Sequence, residues 1–593
     1  MNSLSRTQPA LLGGLFFLLV FVGQGIFFIR ANSQTVDEAT HLAAGYSYLA
    51  TGDFRLDPEH PSFIKELQAL PLFLVYRLPF NPDPQQWRDA DSYRIGHDLL
   101  YKSIISADQM LAWSRLPNLF LGALLVALIG WWAYRLWGSL AALLAMALAS
   151  LEPNLVAHSS LVTTDLGVAL FIFLTVYLLW EYLNLPTWGR LAATGIATGL
   201  AVISKFSALL LIPALGVIIA LPIFVGGEPF VLPPKKKQID LWQKIIQAGA
   251  LFLIILFFAF LTIPPVYWFQ GYNPWSFGLL QFLAIAEDGR PAFLMGGYSP
   301  QGWWTYFMVS FLIKTPIGSL ILITASLIFY RAGRPLTWRE ATYLLVPVLI
   351  IFIATTQAKV NIGIRHILPV YPFLFVLASR LATVRFRDGW LAQFLITLPV
   401  LFTAVSAVRA APHQLAYFNE IVGGPDQGYH YLADSNLDWG QDLRGLKAYM
   451  EKENLPIIYL SYFGTAPPSY YGIRYQYVPG KGNLESRPPS DKVSAETPRF
   501  LAISVYNLQD VSRPHDPLFR WLWARQPVAK IGYSIFIYDL TNDPDGLMKL
   551  EDIYASRPGS SVDPDRSLPV RVDSSEHPKT DIHVEGRSER IRL

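Results

Sequence analysis

Between Thr35 and Lys65 the chain reads TVDEATHLAAGYSYLATGDFRLDPEHPSFIK, bringing Asp37, Glu38, His41, Glu59, His60 and Lys65 close together directly after a long apolar run. A carboxylate held partly away from water accepts a proton as a general base, and a lysine neutralises a phosphate. His41 and His60 with the neighbouring carboxylates form a donor set suited to a divalent ion. No tight HExxH-type spacing accompanies them. Acids at a helix start are also favoured by the macrodipole and by capping, so Asp37-Glu38 alone would be unremarkable. A second acid raises their significance: LVTTDLG sets Asp165 at the head of another apolar run, where a charge is costly unless it faces a polar site. Complementary cations stand in similar surroundings: Lys205 in ISKFSALL, Lys314 in FLIKTPIG and Arg365-His366 in NIGIRHILPVYP. Fixed positive charge at headgroup depth is what a lipid-attached phosphate needs.

These residues need elements to hold them. Of the 593 residues, 52% are hydrophobic and 15% charged, and the mean hydropathy is +0.33. That is the composition of a polytopic membrane protein with soluble parts. The net charge of +3 points to no nucleic-acid partner, and the absence of cysteine removes disulfides and thiolate chemistry. Apolar runs predict about eleven spans: Ala10–Ile29, Leu116–Tyr134, Leu140–Leu151, Leu166–Leu183, Ala192–Ile203, Phe206–Phe224, Ala248–Pro264, Tyr306–Tyr330, Ala341–Thr356, His366–Ser379 and Trp390–Val408. Residues 31–113 form a large first loop, in which Ser62–Tyr76 and Ala107–Trp113 read as interfacial amphipathic helices. TVDE reads as a capping box opening the helix that carries Asp37, His41, Gly45 and Tyr48 on one face.

Orientation follows from the basic loops. Arg6, Arg135, Arg190, Lys235–Lys237, Arg331, Arg334, Arg339, Arg380, Arg385 and Arg387 fall on one side, predicted to be cytoplasmic, with the N-terminus. The Asp37 loop, Lys205 and Arg365 then lie outside. From residue 410 to 542 the sequence turns soluble, and β-rich runs at Ile457–Phe463, Phe500–Tyr506 and Ser534–Leu540 with a helix near Asp442–Glu453 predict a small extracytoplasmic α/β domain. Asp434, Asp438 and Asp442 in DSNLDWGQDL suit either a cation or ordinary turns and caps. Residues 543–593 are polar and read as a disordered tail.

DEATHLAAGYSYLATGDFRLDPEHPSFIK, together with LVTTDLG, the basic positions and IRHILPVYPFL, resembles the phospholipid-carrier-dependent glycosyltransferases of the GT-C superfold, the group that includes protein O-mannosyltransferases and lipid A aminoarabinose transferases. The likeness spans roughly residues 10–410, while YFNEIVGG and DSNLDWGQDL look like the C-terminal region of a bacterial subgroup. It implies a GT-C membrane domain over residues 1–409 in a bacterial-type inner membrane, using a polyprenyl-phosphate sugar donor and an acceptor that is lipid, glycan or protein. By matching motifs, Asp37 is the main catalytic acid, Glu38 its neighbour and Asp165 a second site acid. Lys65 is a cation near the donor, and Lys205 and Arg365-His366 face the carrier phosphate; the residues themselves add Lys314 to the phosphate set and His41, Glu59 and His60 as further pocket candidates. No cofactor is implied, and a divalent metal stays open. Members that modify proteins carry a β-trefoil insert between later spans, and no segment of that length occurs here. A lipid-linked sugar transporter or flippase is the alternative reading, but it would place its key charges near the bilayer midplane on broken helices.

Overall fold

The computed structural model describes residues 4–225, 240–384, 389–482 and 498–555. Seven helices among them are long and apolar enough to cross a bilayer: Ala10–Ala31, Ala107–Trp137, Asp165–Asn184, Phe206–Phe224, Leu241–Val266, Trp338–Thr355 and Gln393–Ala410. The count rises to nine when two bent pairs are included, Ser139–Ser150 with Pro153–Ser159 at 66° and Tyr306–Lys314 with Ile317–Ile328 at 112°. The sequence reads Tyr306–Tyr330 as one straight span because hydropathy is continuous across Pro316, whereas the expected span Leu140–Leu151 stops before Pro153. Pro153 and Pro316 break the helices, since proline removes a backbone donor and disfavours helix in the residue before it. The remaining two expected spans are short: Trp188–Val202 has 15 residues and Val370–Thr383 is likewise under span length. A 15-residue helix is only about 22 Å long, against a hydrocarbon core of about 30 Å.

The first loop is largely helical. Glu38–Thr51, Ser62–Pro71, Pro84–Arg88 and Ser92–Tyr101 are helices. The segment Ala107–Trp113, expected as a separate interfacial helix, is the start of the continuous helix Ala107–Trp137. At 31 residues that helix is about 46 Å long, so its first turns project beyond the hydrocarbon. Only half of the expected capping box forms: Glu38 Oε2 accepts from the Thr35 amide (2.9 Å), while the Thr35 hydroxyl has no partner among the described residues. Helices Glu38–Thr51 and Ser62–Pro71 cross at Gly45, where a Cβ would stand 2.1 Å from the Lys65 carbonyl oxygen. Only glycine permits that approach, and the approach sets where Lys65 points.

The helix Asp165–Asn184 runs from one surface to the other. Asp165 begins it, and in its last turn Glu181 pairs with Arg135 (2.5 Å) and Arg190 (3.9 Å). Arg334 and Arg339 line a cavity with Arg135 at that same end, and Arg380 donates to the carbonyls of Ala332 and Arg334. The basic loops thus gather about 30 Å, one helix length, from Asp165. Lys235–Lys237, Arg385 and Arg387 lie outside the described residues.

Beyond the last span the chain forms a five-stranded sheet in the order Tyr475–Tyr477, Ile458–Ser461, Phe500–Ser504, Ile535–Asp539, Ala529–Ile531, with the first three parallel and the rest antiparallel. Helix Leu443–Lys452 lays Leu443, Leu446 and Met450 on it. Folded structure continues past residue 542: Pro544–Ala555 is a helix, with Leu550 and Ile553 in the core, where the sequence suggested disorder. The rest of the expected tail, 556–593, lies outside the described residues. The soluble part is laced to the membrane part. The Ser33 amide donates to the Gln441 carbonyl (2.8 Å) and the Val36 amide to the Trp439 carbonyl (3.0 Å).

Candidate active site

Four elements bring charge together at one end of the helix Asp165–Asn184. The segment after the first span carries Asp37. The helix itself begins with Asp165, the break after Trp188–Val202 carries Lys205, and the short 3-10 turn Ile364–Ile367 carries Arg365. Lys205 Nζ donates to Asp165 Oδ1 at 2.5 Å. Arg365 Nη1 donates to Asp37 Oδ2 at 2.9 Å and stands 3.8 Å from the other Asp165 oxygen. Two acids and two bases therefore share one bridge, with the Asp165 side chain 1% exposed and that of Asp37 23% exposed. Asp37 is the acid that faces outward. Burial pushes its carboxyl up, but Arg365, with His41 and His60 behind it, outweighs burial and holds it below the ordinary carboxylate range. The Nε of Arg365 is buried without a partner among the described residues, and its guanidinium lies over the Trp439 ring (4.3 Å). That leaves a donor edge available to an anion. His158 and His366 stand within electrostatic range of Asp165. Both His158 ring nitrogens and Nε2 of His366 have no partner among the described residues.

The other expected residues go elsewhere. Glu38 is not beside Asp37 in the cluster but fully buried, turned into the protein against Arg115. Its Oε1 accepts from Arg115 Nε (2.7 Å) and the Val162 amide (2.9 Å), and its Oε2 from Arg115 Nη2 (2.6 Å) and the Thr35 amide (2.9 Å). Arg115 also donates to the carbonyls of Ile29, Asn32 and Ser33. With both oxygens saturated, Glu38 is a positioning residue that ties the first span, the second span and the loop before Asp165 together. Lys65, expected at the donor phosphate, spends its three protons on the Asp57 carbonyl (2.6 Å), Asp57 Oδ2 (3.0 Å) and the Tyr48 hydroxyl (3.0 Å). Lys314, also expected there, donates instead to the Leu415 carbonyl (2.9 Å) and the Asn436 carbonyl, and covers the Phe418 ring. It pins the chain that follows the last span.

His41 and His60 do meet, with ring centroids 4.9 Å apart and Asp57 between them. Burial lowers His41 to about 4, so the ring is neutral at pH 7. Glu59 lies in the same turn, its carboxyl raised by burial and by the Asp57 charge. Asp57 and Arg115, which hold Lys65 and Glu38, and Trp439, which lies under Arg365, do not stand out in the sequence as functional. Arg115 carried a signal, an arginine inside an otherwise apolar run; Trp439 carried none.

The three acids of DSNLDWGQDL diverge. Asp438 accepts from the Tyr506 and Gly440 amides (3.0 and 3.3 Å), and burial raises it to about 8. Asp442 accepts from the Ser534 hydroxyl (2.6 Å). Asp434 turns toward the cluster, feels both Arg365 and Asp37, and is raised by burial to about 6.

Residues 99–277, a stretch that contains Arg115, Asp165 and Lys205, match the family described as dolichyl-phosphate-mannose-protein mannosyltransferase. No curated protein matches the chain by sequence. Among solved structures the chain is similar to ArnT from Cupriavidus metallidurans bound to undecaprenyl phosphate, with a TM-score of 0.47 and 13% identity over 91% of this chain and 99% of that one. It is also similar to the S. cerevisiae protein O-mannosyltransferase Pmt1-Pmt2 complex bound to the sugar donor, with a TM-score of 0.34 and 20% identity over 46% of this chain and 35% of that one. The Archaeoglobus fulgidus oligosaccharyltransferase in the apo form gives a TM-score of 0.43 and 12% identity over 74% and 58% of the two chains. The family match bears out the resemblance read from the motifs, that of a polytopic membrane protein to the glycosyltransferases that draw sugars from lipid-phosphate carriers.

Proposed function

We propose that this protein transfers a hexose or a pentose from a polyprenyl-phosphate donor to an extracytoplasmic acceptor, with Asp37 as the general base. The observation that carries this reading is the bridge in which Arg365 joins Asp37 and Asp165 while Lys205 neutralises Asp165. The two acids balance the charge of Lys205 and Arg365, but the Nε edge of Arg365 has no partner among the described residues and suits a phosphate oxygen. A carrier phosphate neutralised in this way is a good leaving group, so no general acid is needed. The acceptor hydroxyl or amine must lose a proton as it attacks the anomeric carbon. Asp37, the more exposed and ionised acid, is placed to take it. Nothing in that scheme requires a second nucleophile, and direct displacement inverts the anomeric centre.

We further propose that the N-terminus is cytoplasmic and that the acid cluster and soluble domain face outward from a bacterial-type plasma membrane. The gathering of Arg135, Arg190, Arg334 and Arg380 one helix length from Asp165 supports that orientation. The same placement disfavours a transporter or flippase, whose charges belong at mid-span rather than at the first residue of a helix.

The test is turnover of purified protein on polyprenyl-phosphate sugars, read as release of the free carrier phosphate. Asp37→Asn keeps the shape and removes the base, so its rate is expected to fall by roughly two to four orders of magnitude while donor binding persists. A folded Asp37→Asn protein working at the parental rate overturns the assignment.

A further inference from the structure

The turn Asp57–His60 and the helix Glu38–Thr51 bring three donor atoms of mixed type to one point. His41 Nε2 lies 3.7 Å from Asp57 Oδ2, and His60 Nδ1 lies 3.1 Å from Asp57 Oδ1. Candidate ligand atoms of all three residues fall within 4.8 Å of one another. We infer that His41, Asp57 and His60 form a divalent transition-metal site, distinct from the Asp37–Arg365–Asp165–Lys205 bridge.

Three features separate this cluster from a chance meeting of polar side chains. The first is the set itself, two imidazoles and one carboxylate, which favours zinc or another borderline divalent ion over calcium or magnesium, whose preferred ligands are all oxygen. The second is the orientation of His41. Its Nδ1 lies 3.0 Å from the Val162 carbonyl, and a carbonyl only accepts, so the proton sits on Nδ1 and the lone pair of Nε2 points at Asp57. A metal-binding histidine is held in this way, with its far nitrogen donating to a backbone carbonyl that fixes tautomer and ring angle. The third is size. Bonds of about 2.1 Å place two ligands across an ion no more than about 4.2 Å apart, so the three atoms need draw in by roughly half an ångström.

Lys65 is the competing feature. Its ammonium sits 3.0 Å from Asp57 Oδ2 and supplies one positive charge to that carboxylate. The other oxygen, Oδ1, faces His60 instead, and there a bridging proton is what the ion replaces. An ion held through Oδ1 leaves Oδ2 to Lys65, although His41 Nε2 also approaches Oδ2 (3.7 Å), and Asp57 becomes the residue through which the helix Ser62–Pro71 senses the metal. His41 follows Asp37 by one turn of helix. Occupancy thus stiffens the segment that presents Asp37, whatever acceptor is used.

The experiment reads bound metal, so its failure is distinct from failure of the glycosyltransferase reading. Full-length protein purified without chelator is incubated with zinc sulfate, desalted and analysed for metal content; a cobalt(II)-loaded sample is examined by visible absorption. The expected result is about one ion per chain, with d–d bands for the cobalt form. Both signals should be lost in His60→Ala, which changes a partly exposed loop side chain, and in His41→Ala. Monodisperse elution of the variants establishes that folding is kept. Metal at background in the wild-type protein, or a full equivalent retained by a folded His41→Ala/His60→Ala double variant, overturns the site.

Discussion

Replacing Arg365 by methionine should move the pH dependence of activity, and the structure supplies both the direction and the size. Asp37 feels two opposed influences, burial raising its pKa and Arg365 lowering it, with the net result below the ordinary range. Deleting the guanidinium leaves burial opposed only by His41 and His60, so the pKa rises. At the observed 2.9 Å the pair interacts by ~1.4 kcal/mol at a water-like dielectric and by ~5.7 kcal/mol at an effective value of ~20. Because the Asp37 side chain is 23% exposed, the lower part of that range applies, and roughly 1.4–3 kcal/mol corresponds to about one to two pH units. A base works only when deprotonated, so activity is lost as pH falls through its pKa. The acidic limb of kcat/KM, which reports the free enzyme, should therefore appear about one to two units higher in Arg365→Met than in the parent. Arg365→Lys keeps the charge without the fork and should shift it less. The assay is carrier-phosphate release across a pH series, with monodispersity checked at each end. An acidic limb that stays in place in folded Arg365→Met protein would refute the electrostatic account of Asp37.

Two further outcomes follow from packing. Arg115→Met strands the buried Glu38 carboxylate and should destabilise the protein by about 3–5 kcal/mol, seen as a lowered thermal transition in detergent; adding Glu38→Gln should recover most of the loss, because a neutral amide replaces the unpaired charge. Gly45→Ala places a methyl 2.1 Å from the Lys65 carbonyl and forces the two loop helices apart, so a loss of about 1–3 kcal/mol and a fall in transfer rate are expected in the same thermal and activity assays.

Charge in apolar surroundings was the part of the site that could be read from the chain. Asp165, Lys205 and Arg365 are each expensive where they stand, so each announced a partner. The sequence could not tell which of Asp37 and Glu38 faces the cleft, since neighbours on a helix point about 100° apart and the rotation is set by Arg115, seventy-seven positions later. Lys205 and Lys314 look alike for a related reason: both stand at helix breaks in apolar sequence, and only the fold shows one meeting Asp165 and the other meeting backbone carbonyls. Hydropathy also runs unbroken through Pro316, so the 112° bend there reads as a straight span. Trp439 lay beyond reach because it enters from the soluble part, where one aromatic among many carries no mark of its role.

The lacing of Ser33–Val36 to the soluble domain has a consequence in time. Ser33 donates to the Gly440 carbonyl across 407 positions, and the ring beneath Arg365 belongs to Trp439. Synthesis runs from the N-terminus, so Asp37 emerges long before the residues that back its partner exist. During synthesis Asp37 waits for Arg365, and the ring that covers that guanidinium is added only after the last span. The cluster is thereby finished by a residue of the soluble part, and a polypeptide stalled or cleaved before Trp439 lacks the ring that backs Arg365.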